Sequence, residues 1–168
     1  DWNATIQEEN SSLSKTTSDE APASSSVIDY LIIDTPPGTS DEHISCTQLL
    51  SNFKTNAIIV TTPQEVSLSD VRREINFCKK LNIQILGIVE NMSGFACPCC
   101  HEITNIFSKG GGKKLADENN IEFLGAVPID PNIASGMDEG KDFVDAYKES
   151  TSALVIREIV EKVERHLQ

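Results

Sequence analysis

The sequence predicts an α/β fold, a mostly parallel sheet flanked by helices, and three observations carry that expectation. Short, nearly continuous apolar runs recur at residues 27–34, 57–61 and 83–89, with a weaker fourth at 123–127. Such runs suit strands covered on both faces, as parallel strands are. Segments with helical apolar spacing fall between them, and that alternation implies βαβ units. The 168 residues, 39% hydrophobic and 24% charged, suffice for one domain with a buried core.

The elements are read in chain order. Residues 1–26 are rich in Ser, Thr and acidic side chains, with too little apolar surface to offset ordering entropy, so a disordered tail or insertion is expected there. Residues 27–168 are read as one domain. Its first strand, 27–34, is Val27-Ile28-Asp29-Tyr30-Leu31-Ile32-Ile33-Asp34. A helix over 41–53 would place Ile44, Leu49 and Leu50 on one face. Ser67-Leu68-Ser69-Asp70 resembles a capping box and would open a helix to about Leu81, lined by Val71, Ile75 and Cys78. Gly110-Gly111-Gly112 leads into a short helix at 113–119. A last helix, 151–166, carries Leu154, Val155, Ile159, Val160 and Val163 and should pack on the sheet.

A formal net charge of −12 opposes nonspecific grip on nucleic acid or on an anionic membrane, since both need a basic face. No apolar run is long enough to span a bilayer. Asp1-Trp2-Asn3-Ala4 has neither a basic nor an apolar leader region, and the missing initiator Met fits a chain that begins partway through a longer protein. Five cysteines, an odd number, do not read as a disulfide framework. The expected compartment is the reducing cytoplasm. Cys46 and Cys78 fall at helical apolar positions and are read as small buried residues.

Two motifs carry chemistry. Asp34 follows four apolar residues, where a carboxylate at a strand's carboxyl end can hold Mg²⁺ through water. Thr35-Pro36-Pro37-Gly38-Thr39 forms a stiff turn, and Gly38 permits a close backbone approach to a terminal phosphate. An aspartate that merely caps the following Ser40-Asp41-Glu42 is the plainer alternative. The second motif is Cys97-Pro98-Cys99-Cys100. Cys97 and Cys100 have the spacing that lets two thiolates reach one metal or cluster iron. Four ligands are needed, so a dimer could supply two from each chain, or Cys99 or His101 could contribute. A redox pair and a fortuitous surface cluster remain alternatives. No Gly-x-x-x-x-Gly-Lys-Ser/Thr occurs in these residues, so the chain alone is not expected to hydrolyse ATP.

Residues 29–43, with Thr61-Thr62-Pro63-Gln64, the 87–95 segment leading into Cys97-Pro98-x-Cys100, Ile106-Phe107-Ser108, and Leu124-Gly125-x-Val127-Pro128-Ile129-Asp130-Pro131, resemble the Mrp-like, MinD-related P-loop ATPases. The likeness is to the cytosolic iron–sulfur cluster assembly factors, of the smaller-subunit type, and covers the part of the family domain after Walker A. The resemblance implies a deviant-Walker P-loop NTPase fold, incomplete at its N-terminus. It implies a 4Fe–4S cluster bridging two chains through Cys97 and Cys100, then passed to apo iron–sulfur proteins. It also implies a homodimer or a heterodimer with the larger scaffold ATPase, using ATP and Mg²⁺. Asp34 would be the Walker B carboxylate and Gly38 the switch II contact, with Asn91, Pro128 and Asp130 near the adenine. Without the resemblance, Asn91 reads as a strand-end cap. A zinc-bridged dimerisation module with a vestigial nucleotide site is the second reading, because Zn²⁺ also accepts four thiolates. A MinD-like membrane switch is disfavoured by the mixed charges of the last helix, Arg157, Glu158, Glu161, Lys162, Glu164 and Arg165.

Overall fold

The computed structural model describes residues 28–97, 100 and 102–168, and divides into two compact units, Asp1–Asp34 and Thr35–Gln168. In the first unit, residues 28–34 have no regular secondary structure, and Leu31 and Ile32 are 70% and 92% exposed. The strand expected at 27–34 is therefore not formed over its described part. A doubly covered strand needs ladder partners and apolar cover, and the described residues supply neither to this run. Val27 and the Ser-rich stretch 1–26 lie outside the described residues.

The second unit runs α1 (Asp41–Leu49), β1 (Asn56–Thr61), α2 (Glu65–Lys80), β2 (Gln84–Ala96), β3 (Ile103–Thr104), α3 (Gly111–Asn119), β4 (Phe123–Ile129), α4 (Pro131–Asp138), α5 (Phe143–Ala146) and α6 (Thr151–Leu167). β2 is the sheet's central strand. It pairs in parallel with β1 and with β4, and its far end pairs antiparallel with β3. The expected parallel sheet is thus present, with a short antiparallel addition.

Alternation along β2 explains the layers. Ile88 points into a cluster with Leu68, Val71, Ile75 and Cys78 of α2 and Leu115 of α3. Val89, the next residue, faces the opposite side and joins Leu124 and Val127 of β4 under α6. Fully burying each such aliphatic side chain contributes about 1.5–3 kcal/mol. α6 packs through Val155, Ile156, Ile159 and Val163. Leu154 and Val160, expected on that stripe, are about half exposed instead. The helix lies close: a Cβ at Gly125 would fall 2.8 Å from Ile159 Cγ1, and Lys162 Nζ donates to the Leu124 carbonyl at 2.6 Å.

Several boundaries differ from the sequence reading. α2 starts earlier than Ser67, with Gln64 as N-cap. Ser67 Oγ instead accepts the Thr62 N–H at 3.3 Å, tying the helix to the end of β1. α1 stops at Leu49 and buries no residue fully: His43 packs edge-on against Phe77 of α2, while Ile44 and Leu49 are exposed. α4 and α5 were not anticipated, although each begins with an aspartate cap. Asp130 accepts from the Asn132 N–H at 2.9 Å, and Asp142 from the Val144 and Asp145 amides. Among the described residues no helix is long and apolar enough to cross a membrane.

Candidate metal centre

β2 outruns its neighbour. Its last residue paired with β1 is Glu90, opposite Thr61, and the chain continues to Ala96. Against β4 the register jumps from Asn91↔Val127 to Phe95↔Ile129. Residues 92–94 therefore bulge out across from Pro128, which has no N–H to offer the ladder. Met92 takes φ 56 and Gly94 φ 88, and these two residues turn the strand. Only glycine fits at position 94, because a Cβ there would lie 2.7 Å from Ile103 Cγ2 and 3.0 Å from the Thr104 carbonyl oxygen.

Beyond the bulge, Phe95 and Ala96 pair with Thr104 and Ile103. The Cys97 N–H donates to the Glu102 carbonyl at 3.0 Å and closes the hairpin. Cys97 and Cys100 thus occupy one hairpin tip, Cys97 half-buried and Cys100 exposed. Pro98, Cys99 and His101, and with them the question of a further local ligand, lie outside the described residues. Among the described residues no group of three or more His, Cys, Asp or Glu side chains gathers where a metal could sit.

The other two described cysteines lie on helices. Cys78 is buried on α2, as expected, and its thiol pKa is raised, first by burial and then by the Glu74 carboxylate. Cys46 is only half-buried, because α1 is covered only in part.

The residues expected to touch nucleotide are distributed unevenly. The β2–β4 register brings Asn91, Pro128 and Asp130 to one edge of the sheet, where the parallel strands end. Asn91 is exposed and its Oδ1 accepts the Met92 N–H at 2.9 Å, where the bulge in β2 begins. Pro128 is fully buried, and Asp130 caps α4. Gly38 has φ 94, as a glycine turn should, but its N–H donates to Glu74 Oε1 at 3.0 Å. Asp34 belongs to the first unit and is exposed.

One residue with no role assigned from sequence, Glu90, stands at the base of the hairpin. Glu90 is 1% exposed, and its carboxylate accepts from Ser93 Oγ and from the Gly112 N–H, each at 2.6 Å. The signal was available: Glu90 ends the apolar run 85–89 just as Asp34 ends its own.

Comparison with known proteins shows the family and the fold type. A family model described as ParA, NUBPL iron-transfer P-loop NTPase, matches residues 22–164. The "Cytosolic Fe-S cluster assembly factor NUBP2 homolog" of Trichoplax adhaerens is 58% identical over 134 residues, which are 79% of this chain and 51% of that protein. The NUBP2 factor of Gallus gallus is 53% identical over 137 residues, 81% of this chain and 50% of its own. The chain thus spans about half the length of the curated relatives it matches. A nucleotide-binding protein from Archaeoglobus fulgidus, solved in complex with ADP, superposes with a TM-score of 0.59 at 40% identity, over 68% of this chain and 46% of that one. The cell division ATPase MinD of Pyrococcus furiosus gives 0.52 at 27% identity, over 66% and 42%. The sheet is accordingly of the MinD-like P-loop NTPase type, and the chain belongs to the ParA/NUBPL family of iron-transfer P-loop NTPases.

Proposed function

We propose that this chain is the cysteine-bearing part of a cytosolic scaffold on which 4Fe–4S clusters are built and from which they pass to cytosolic and nuclear apo-proteins. The observation that carries the reading is the hairpin tip holding Cys97 and Cys100. The names of the relatives support it, since both are called cytosolic Fe–S cluster assembly factors. Soft thiolates are the donors such clusters take, four at a time. One chain offers two at this tip, so two chains, either two copies or this chain with a larger relative, would hold one cluster between them.

The chain's own residues do three things in this scheme. Cys97, half-buried at the base of the loop, is the anchored thiolate. Cys100, exposed, is the thiolate an acceptor's cysteine can replace first, so that release proceeds by ligand exchange. The bulge and Gly94 hold the tip beyond the end of β1. Loading displaces a proton from each thiol, so iron competes with protons for both sulfurs.

Nucleotide is a different matter. Asp34 as Walker B carboxylate, Gly38 as switch II contact, and Asn91, Pro128 and Asp130 beside an adenine remain our assignments. The residues present do not themselves form a phosphate cradle. The sequence has no Walker A lysine motif, and the Gly38 amide is taken by Glu74. In this scheme no step of cluster handling by this chain runs through ATP.

The test is anaerobic reconstitution with iron and sulfide, beside a Cys97→Ser/Cys100→Ser variant. The expected result is broad iron–sulfur absorption, about one 4Fe–4S cluster per two chains, lost in the variant. Stoichiometric zinc with no cluster, or a variant that keeps the absorption, would overturn the reading.

A further inference from the structure

We infer that Glu90 is the positioning residue of the cysteine hairpin, fixing the tip relative to the sheet edge and to α3. A buried carboxylate is costly unless its lone pairs are occupied. No ion pair among the described residues includes Glu90, so it rests on hydrogen bonds alone, and these two point in useful directions. One goes to Ser93, inside the bulge that redirects β2 toward the cysteines. The other goes to the Gly112 N–H, in the first turn of α3, where the helix dipole favours a negative charge. Gly112 admits this approach because it has no side chain: a Cβ there would lie 3.0 Å from Glu90 Cβ and 3.1 Å from Oε2. An apolar residue at position 90 would fill the space and satisfy neither group. The inference depends on the scaffold reading only for its consequence in cluster retention.

Amide hydrogen exchange on the full chain, resolved at Cys97 and at Ile88, tests this. The Cys97 N–H bonds across the hairpin to Glu102, and the Ile88 N–H bonds to Glu122 in the core. Loss of a bond to a charged group should speed exchange at Cys97 roughly tenfold in Ser93→Ala and in Glu90→Ala, with Ile88 unchanged. Glu90→Gln should stay near wild type, because the amide oxygen can still accept from Gly112 while its NH₂ donates to a rotated Ser93 hydroxyl. If Glu90→Ala does not fold, Ser93→Ala decides, since it removes only the hairpin bond. Unchanged exchange at Cys97 in Ser93→Ala, or an equal rise at Ile88, would overturn the proposal. In parallel reconstitutions, Ser93→Ala should release iron to a chelator several-fold faster than wild type. A wild-type chain that takes up no cluster, yet shows this exchange pattern, would defeat the scaffold reading and leave the positioning role standing.

Discussion

Gly87 lies on the central strand against Leu124, and the pair makes a sharp test of how the sheet is packed. A Cβ on Gly87 would fall 2.4 Å from Leu124 Cγ and 2.8 Å from both of its methyl carbons. Leu124 is fully buried beneath α6, so it has little room to yield. Overpacking of this kind costs about 1–3 kcal/mol. The backbone itself does not object, since φ at Gly87 is not positive, and Ala in a strand gains roughly 0.5–1 kcal/mol over Gly. Gly87→Ala should therefore destabilise by about 1–2 kcal/mol net. Leu124→Ala should cost about 2–5 kcal/mol by leaving a cavity. In the double variant the new methyl enters that cavity, the clash disappears and the backbone gain stays. Gly87→Ala should thus reverse sign and stabilise the Leu124→Ala background, with a coupling of about 1–3 kcal/mol. Urea denaturation followed by far-ultraviolet circular dichroism, with the slope m unchanged across the four proteins, measures this cycle. Costs that add to within about 0.5 kcal/mol would refute the packing argument.

Three further outcomes are expected. Gly94→Ala forces an L side chain into positive φ against the Thr104 carbonyl, weakening the hairpin by about 1–2 kcal/mol; faster alkylation of Cys97 in a mass-spectrometric time course would register it, and wild-type rates would contradict it. The Cys78 thiol pKa is raised in the fold, so its stabilising effect is present below the unfolded thiol's pKa, about 8.5, and is lost as pH rises through the higher folded value. Stability should accordingly fall at alkaline pH, and Cys78→Ala should flatten that part of the profile in thermal melts from pH 7 to 10. Asp130→Ala should cost about 1 kcal/mol as a lost N-cap, whereas Asp130→Asn, also a good cap, should stay within a few tenths; an Asn variant as unstable as the Ala one would show that the carboxylate does more than cap.

What the sequence made legible follows from how local each signal is. The strands at 57–61, 83–89 and 123–127 announce themselves as apolar runs, as strands of a parallel sheet do, and the helices α2 and α6 by period, because one buried face imposes it. The run at 27–34 has the same apolar signature, yet its described part stays irregular. Composition licenses a strand, but partners make one. β3 is only two residues long and carries no period at all. The spacing of Cys97 and Cys100 was plain, while the support beneath them was not. Glu90 and Gly112 stand 22 residues apart, and nothing in either one's neighbourhood names the other. Ser67 misled for a related reason. Its hydroxyl could cap a helix or reach back to a strand end, and tertiary packing chose the strand end.

The two halves of the proposed chemistry differ in how much of themselves this chain contains. The described part of the cysteine tip is assembled largely from residues 84–104, with Ile129 of β4 paired to Phe95 and Gly112 of α3 bonded to Glu90 as distant supports. A phosphate cradle needs a run of free backbone amides and a lysine, and the one turn amide singled out for that task, at Gly38, already faces the Glu74 carboxylate. An incoming phosphate at Gly38 would meet a negative group in its place and would have to displace it. Glu90 and Glu74 thus do similar things to opposite effect. Each carboxylate satisfies a glycine amide, but Glu90 thereby braces the cysteine tip, whereas Glu74 occupies a donor that nucleotide would require. Metal handling and nucleotide handling are separable on these grounds, and cluster uptake by this chain should not depend on ATP.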